Sequence, residues 1–134
     1  MMGPPAPMRI TKTLTEILKE EYGTDIENCL RKQEKDYTTK DCLVKHKITP
    51  ALRARMVDWM IEVLTNFRCD DQTFFTAVSI MDRYFHAKDS VMEVSDLHLV
   101  GVTCMYMASK YEDIYPLKMS MVFEKIAHKK LPTK

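Results

Sequence analysis

Leu97-His98-Leu99-Val100-Gly101-Val102-Thr103-Cys104-Met105-Tyr106-Met107-Ala108-Ser109 runs without one formal charge, and Lys110 follows it. Apolar side chains fall at every angle of a 3.6-residue period, so the pattern predicts a helix buried on every side. Ser95 is the expected cap, Asp96 suits the first turn, and the helix should run to about Lys110. Gly101, Ala108 and Ser109 are small and let neighbouring helices approach closely. In a chain of 134 residues, the simple arrangement is a central helix ringed by others.

Working outward, the flanking segments supply those neighbours. Thr49 and Pro50 form a helix start, with a hydroxyl at the N-cap and a residue that needs no amide bond at the first position. The helix Ala51 to Phe67 then carries Leu52, Met56, Val57, Met60, Ile61, Val63, Leu64 and Phe67 as apolar positions. A second fits Gln72 to Phe85, capped by Asp70 or Asp71, with Phe74, Phe75, Val78, Ile80, Met81, Tyr84 and Phe85 as apolar positions. After Ile114-Tyr115-Pro116 a fourth, amphipathic helix is expected over Leu117 to His128, with Met119, Val122, Phe123 and Ile126 apolar. Upstream, residues 1–10 read as a flexible tail. Residues 11–48 read as a helical extension and linker. Within them, helical spacing from Thr11 to Asp36 is interrupted at Gly23, where the helix breaks or restarts on Thr24 or Asp25. Residues 36–48 are polar and irregular. The domain proper is then 49–134, and the fold class is all-α.

Composition agrees. Apolar residues make up 46% and charged residues 29%, and only two Gly and one Pro stand between Met8 and Tyr115. A net charge of +1 gives no field that would draw the chain to nucleic acid or a membrane surface. No run approaches the roughly eighteen apolar residues of a membrane span, and the Pro-rich start does not read as a signal peptide. Cys29, Cys42, Cys69 and Cys104 lack short pair spacing, which suggests free thiols. Cys42-x-x-x-His46 has no second pair to complete a structural zinc site. Gly-rich phosphate loops, nucleophile elbows and His-Glu-x-x-His are absent, and no cofactor is implied. Asp58 and Glu62, one turn apart, read as solvated or structural. No residue supports an enzyme.

Four stretches, in order, carry a resemblance. Leu52-Arg53-Ala54-Arg55-Met56-Val57-Asp58-Trp59-Met60-Ile61-Glu62-Val63 resembles the first cyclin-box helix of A- and B-type cyclins. Ser79-Ile80-Met81-Asp82-Arg83-Tyr84-Phe85 resembles the second. Leu97-His98-Leu99-Val100-Gly101 and Ala108-Ser109-Lys110-Tyr111-Glu112-Asp113-Ile114-Tyr115-Pro116 resemble the two ends of the third. A looser likeness at Tyr22, Asp25, Ile26, Cys29, Leu30 and Arg31 extends to the helix before the box.

The resemblance implies a non-catalytic regulatory subunit of G2/M type, found in nucleus and cytoplasm. It would bind a cyclin-dependent protein kinase and press the kinase's mobile helix inward. Lys110, Tyr111, Met107 and Ile114 would then meet the kinase, with Tyr22, Ile26 and Cys29 from the preceding helix. Residue by residue, plainer readings stand beside these. A cation near a helix C-terminus complements the dipole, Met107, Tyr111 and Ile114 could be core, and Tyr22, Ile26 and Cys29 could be an ordinary amphipathic stripe. Tyr111 stands where the family usually has Phe, and Cys29 where it has a larger side chain. Arg53 and Asp82 are charges in apolar helices, and the family pairs them, which implies a structural ion pair.

Leu52, Arg55, Met56, Trp59, Glu62 and His98 correspond to the family's shallow patch for substrate and inhibitor peptides. Arg55 replaces Ile and His98 replaces Gln. A guanidinium in that groove repels the basic residue such peptides carry, which argues against peptide docking. The family box has five helices, and this chain reads as stopping after four. The fifth would carry the Glu that works with Lys110 and would cover part of the central helix, leaving a few hundred Å² of apolar surface open. No Arg-x-x-Leu destruction signal appears in the first fifty residues. The alternative is a helical module that binds something other than a kinase, or a non-functional cyclin fragment.

Overall fold

The computed structural model describes residues 3–5 and 11–126. Most of the expected tail, and Ala127 and His128 of the expected last helix, lie outside the described residues. The chain divides into two compact units, residues 1–38 and 39–134.

The first unit is one helix, α1 (Leu14–Tyr37). Thr13 caps it: its Oγ1 accepts the Glu16 amide, and the Glu16 carboxylate accepts the Thr13 amide at 2.8 Å. This reciprocal pairing satisfies two amides that would otherwise lack partners. Gly23 neither breaks nor restarts the helix. Its backbone stays helical, and the cost of a Gly there, roughly 0.5–1 kcal/mol, is too small to stop a capped helix of this length.

The second unit holds α2 (Pro50–Asn66), α3 (Asp71–Ala87) and α4 (Leu97–Glu112). Thr49 Oγ1 accepts the Leu52 amide, and Pro50 opens α2, as the sequence suggests. The helix closes when the Cys69 amide returns to the Leu64 carbonyl, with Arg68 held at φ 54°. Asp70 caps α3 by accepting the Gln72 amide at 2.8 Å.

Packing centres on α4, which touches both α2 and α3. From α3 comes a stripe at four-residue spacing: Thr73, Ala77, Met81 and Phe85 are all fully buried. Met56, Met60, Val63 and Leu64 come from α2, and Gly101, Val102, Cys104, Met105, Ala108 and Ser109 from α4. Four of the largest fully buried side chains are Met60, Met81, Met92 and Met105, packed with Phe85. Each such side chain contributes about 1.5–3 kcal/mol by leaving water.

Several expectations need correcting. Phe75 and Tyr84 are exposed, while Thr73 and Ala77 take inward positions on α3. Helix α4 is central but not closed all round: Leu99, Thr103 and Met107, four residues apart, are exposed. Ser95 is not its cap. The chain enters α4 through a 3-10 turn at Val94–Asp96, where the Asp96 carboxylate accepts the Glu93 amide.

Residues 39–48 are more than a linker, because Cys42 and Ile48 are buried. His46 Nδ1 accepts the Met92 amide at 3.1 Å, so Nε2 carries the hydrogen and donates to the Phe85 carbonyl at 2.7 Å. That ring joins the loop to the end of α3 and to the segment before α4. After α4, Leu117 is buried outside any helix, and a short helix α5 (Met119–Met121) widens into one π-helical turn over Val122–Ile126. Val122 and Ile126 are buried there and Met119 is exposed.

Candidate docking surface

The exit of α4 displays a cation between large apolar side chains. Lys110 is exposed, Met107 is 50% exposed, Tyr111 83% and Ile114 89%. None of the three apolar residues is core. Large apolar side chains left this open keep most of their surface in water, where a partner could cover it.

What aims them is a polar network just beneath. The Asp113 amide closes α4 on the Ser109 carbonyl at 2.9 Å, and the backbone then turns extended. One carboxylate oxygen of Asp113 accepts the Asp70 amide and the Thr73 hydroxyl, each at 2.8 Å, and the other accepts the Ser109 hydroxyl at 2.7 Å. Ser109 Oγ in turn accepts the Leu117 amide at 2.9 Å. Glu112 adds a bond from Thr76 Oγ1 at 2.7 Å. The end of α4, the start of α3 and the returning chain at Leu117 are therefore joined through one carboxylate. Burial alone would raise the Asp113 carboxyl, but the Asp70 amide and the Ser109 and Thr73 hydroxyls outweigh it and hold it below its ordinary value. Asp113, Ser109 and Thr73 were not singled out as site residues from sequence. Their only signal is position, because a hub of polar residues follows no apolar period.

Tyr22, Ile26 and Cys29 lie three and four residues apart on one face of α1, all exposed. They belong to the first unit.

The expected peptide patch is divided by burial. Met56 is 8% exposed and belongs to the core, and a Cβ built on Gly101 would lie 2.5 Å from its sulfur. Trp59 and His98 are half-buried with their rings 4.9 Å apart, and Leu52 is half-buried on the same helix. Arg55 and Glu62 are exposed. The outward part is thus an aromatic pair with one cation and one anion on its helix.

Arg53 and Asp82 meet in a two-pronged pair between α2 and α3, Nε to Oδ1 at 2.8 Å and Nη2 to Oδ2 at 2.6 Å. Their side chains keep 31% and 19% exposure, so neither charge is fully desolvated. The geometry matches the planar fork of Arg, and donating to the Asp82 carboxylate raises the Arg53 pKa. The pair joins α2 to α3.

Three of the four thiols are held protonated by their surroundings. Burial, then the Asp113 charge, pushes Cys69 up to about 11, and burial with the Asp82 charge does the same for Cys104. Cys42 is also raised, first by burial. Among the described residues no group of three or more His, Cys, Asp or Glu could hold a metal ion.

Comparison with known proteins gives the family. The family model described as the cyclin N-terminal domain matches residues 25–128. A G2/mitotic-specific cyclin-B1 of Oryzias luzonensis is 37% identical over 105 residues, covering 78% of this chain and 26% of that protein. A G2/mitotic-specific cyclin-A of Patella vulgata is 38% identical over 102 residues, covering 75% and 24%. A G1/S-specific cyclin-E of Drosophila melanogaster is 40% identical over 72 residues, covering 54% and 10%. The chain spans about a quarter of the length of the mitotic relatives it matches.

Proposed function

This chain belongs to the cyclin family, and from that premise we propose that it binds a cyclin-dependent protein kinase as a regulatory subunit of G2/M type. The observation that carries the reading is that Lys110, Met107, Tyr111 and Ile114 are all exposed at the exit of α4. The apolar side chains supply contact area, and the ammonium supplies donors for acceptor oxygens on the partner. Binding favours the kinase conformation that fits this surface, which is how a protein without catalytic groups changes an enzyme's activity. Tyr22, Ile26 and Cys29 on α1 form a second, weaker contact, because the Cys29 side chain is small. Peptide docking beside Trp59 is disfavoured by the Arg55 charge.

The test is retention of cyclin-dependent kinases by the immobilised full chain, followed by a kinase assay with the native chain and with Lys110→Ala. We expect one kinase to be retained, and Lys110→Ala to lower its affinity about tenfold or more, the scale of losing a charged contact at an interface centre. If no cyclin-dependent kinase is retained, the reading fails.

A further inference from the structure

Lys110 is exposed, but its ammonium has a neighbour. Its ammonium lies 5.1 Å from the ring centroid of Tyr106, one turn earlier on α4. Helical side chains slant toward the N-terminus, so the lysine stem naturally lies back over residue 106. Tyr106 is itself partly buried and packs against the core, so its ring is a fixed platform. Among the described residues no carboxylate forms an ion pair with Lys110.

We propose that Tyr106 is a positioning residue for kinase binding: its ring holds the Lys110 ammonium in place before the partner arrives. This rests on the reading of Lys110 as a docking residue. The chemistry suits the role. A ring face attracts a cation without binding it as a carboxylate would, so ammonium hydrogens remain available to acceptor oxygens on the kinase. A lysine otherwise loses much rotamer freedom on binding, and one already confined loses less. An anion at position 106 would compete with the partner for the ammonium.

Two measurements decide it. In NMR spectra of the full chain, ring current should move the Lys110 ε-methylene protons upfield of those of the other exposed lysines. That shift should persist in Tyr106→Phe and vanish in Tyr106→Leu. Kinase affinity should fall roughly two- to fivefold in Tyr106→Leu, the scale of one exposed cation–π contact, and recover in Tyr106→Phe. In a Lys110→Ala background the Tyr106→Leu change should have no further effect. A merely structural tyrosine would weaken binding equally in both backgrounds, and that result, or an unshifted Lys110 signal in the native chain, overturns the proposal. If Tyr106→Leu fails to fold, Tyr106→Met replaces it with the same expectations. If the native chain binds no kinase, the kinase reading fails and the positioning role fails with it, while the NMR shift still reports whether the ring contact exists.

Discussion

At the scale of single residues, Asp113 does more than any apolar side chain to shape the exposed surface. It accepts three hydrogen bonds from two helices, and their net effect holds its folded-state pKa below the ordinary 3.8. The sign follows from that direction. A carboxyl with a depressed folded pKa contributes stability that is fully present above the unfolded value and is lost as pH falls through the folded one. Asp113→Asn keeps the shape but loses the charge assistance, a cost of about 1–2 kcal/mol at neutral pH. Urea denaturation at a series of pH values should therefore show native and variant stabilities converging below pH 3.8. A constant gap would contradict the charge assignment. Asp113 stands inside the stretch that resembles the end of the third box helix, but its role as a hub is not legible there, since hydrogen bonds between distant residues leave no periodic trace. The Arg53–Asp82 pair is different: the resemblance to the cyclin box already pairs those two positions, and the structure joins them.

At the scale of elements, caps were legible and faces were less so. Thr49, Pro50 and Asp70 carry their roles in their chemistry, since a short oxygen-bearing side chain or a missing amide suits one helical position. Phe75 and Tyr84 look inward by hydrophobicity alone, yet α3 turns its Thr73–Ala77–Met81–Phe85 stripe to the core instead. Small residues there let α3 lie close to α4, and close packing outweighs the burial of larger rings. The open strip at Leu99, Thr103 and Met107 faces Tyr84 across a groove of about 330 Å³. No sequence period distinguishes that strip, because Leu97–Ser109 is uncharged on every side. Two glycines give opposite expectations. Gly23 has room, with only Lys19 Cγ 3.6 Å from a built Cβ, so Gly23→Ala should raise helicity and stabilise α1 by roughly 0.5–1 kcal/mol. Gly101 is tight, and the Met56 thioether must shift to admit a Cβ, so Gly101→Ala should destabilise the second unit by about 1 kcal/mol, the low end of overpacking costs because a flexible side-chain end gives way. Circular dichroism with thermal denaturation checks both, and a stable Gly101→Ala would show that Met56 moves aside freely.

At the scale of the whole molecule, the four thiols report how closed each part is. Cys29 is exposed, Cys69 intermediate, and Cys42 and Cys104 buried. With a thiol reagent at neutral pH, Cys29 should react first. Cys104, buried and pushed up to about 11, should react only as fast as the second unit opens. Mass spectrometry over a labelling time course separates the four, and a Cys104 that labels alongside Cys29 would mean the core is not formed. The second unit also extends further upstream than its apolar runs suggest. His46, Cys42 and Ile48 draw residues 39–48 into it, but isolated buried residues in a polar stretch resemble a linker until their partners are seen.

The methionine interior has a chemical consequence of its own. Met60, Met81, Met92 and Met105 fill the centre with thioethers, and each sulfur can take up oxygen to become a polar sulfoxide that no longer fits there. Packing is their shield. Each transient opening gives peroxide access to a sulfur, and each oxidised sulfur makes the next opening easier. Oxidative ageing of this protein should therefore be self-accelerating, set at first by how often the native state breathes.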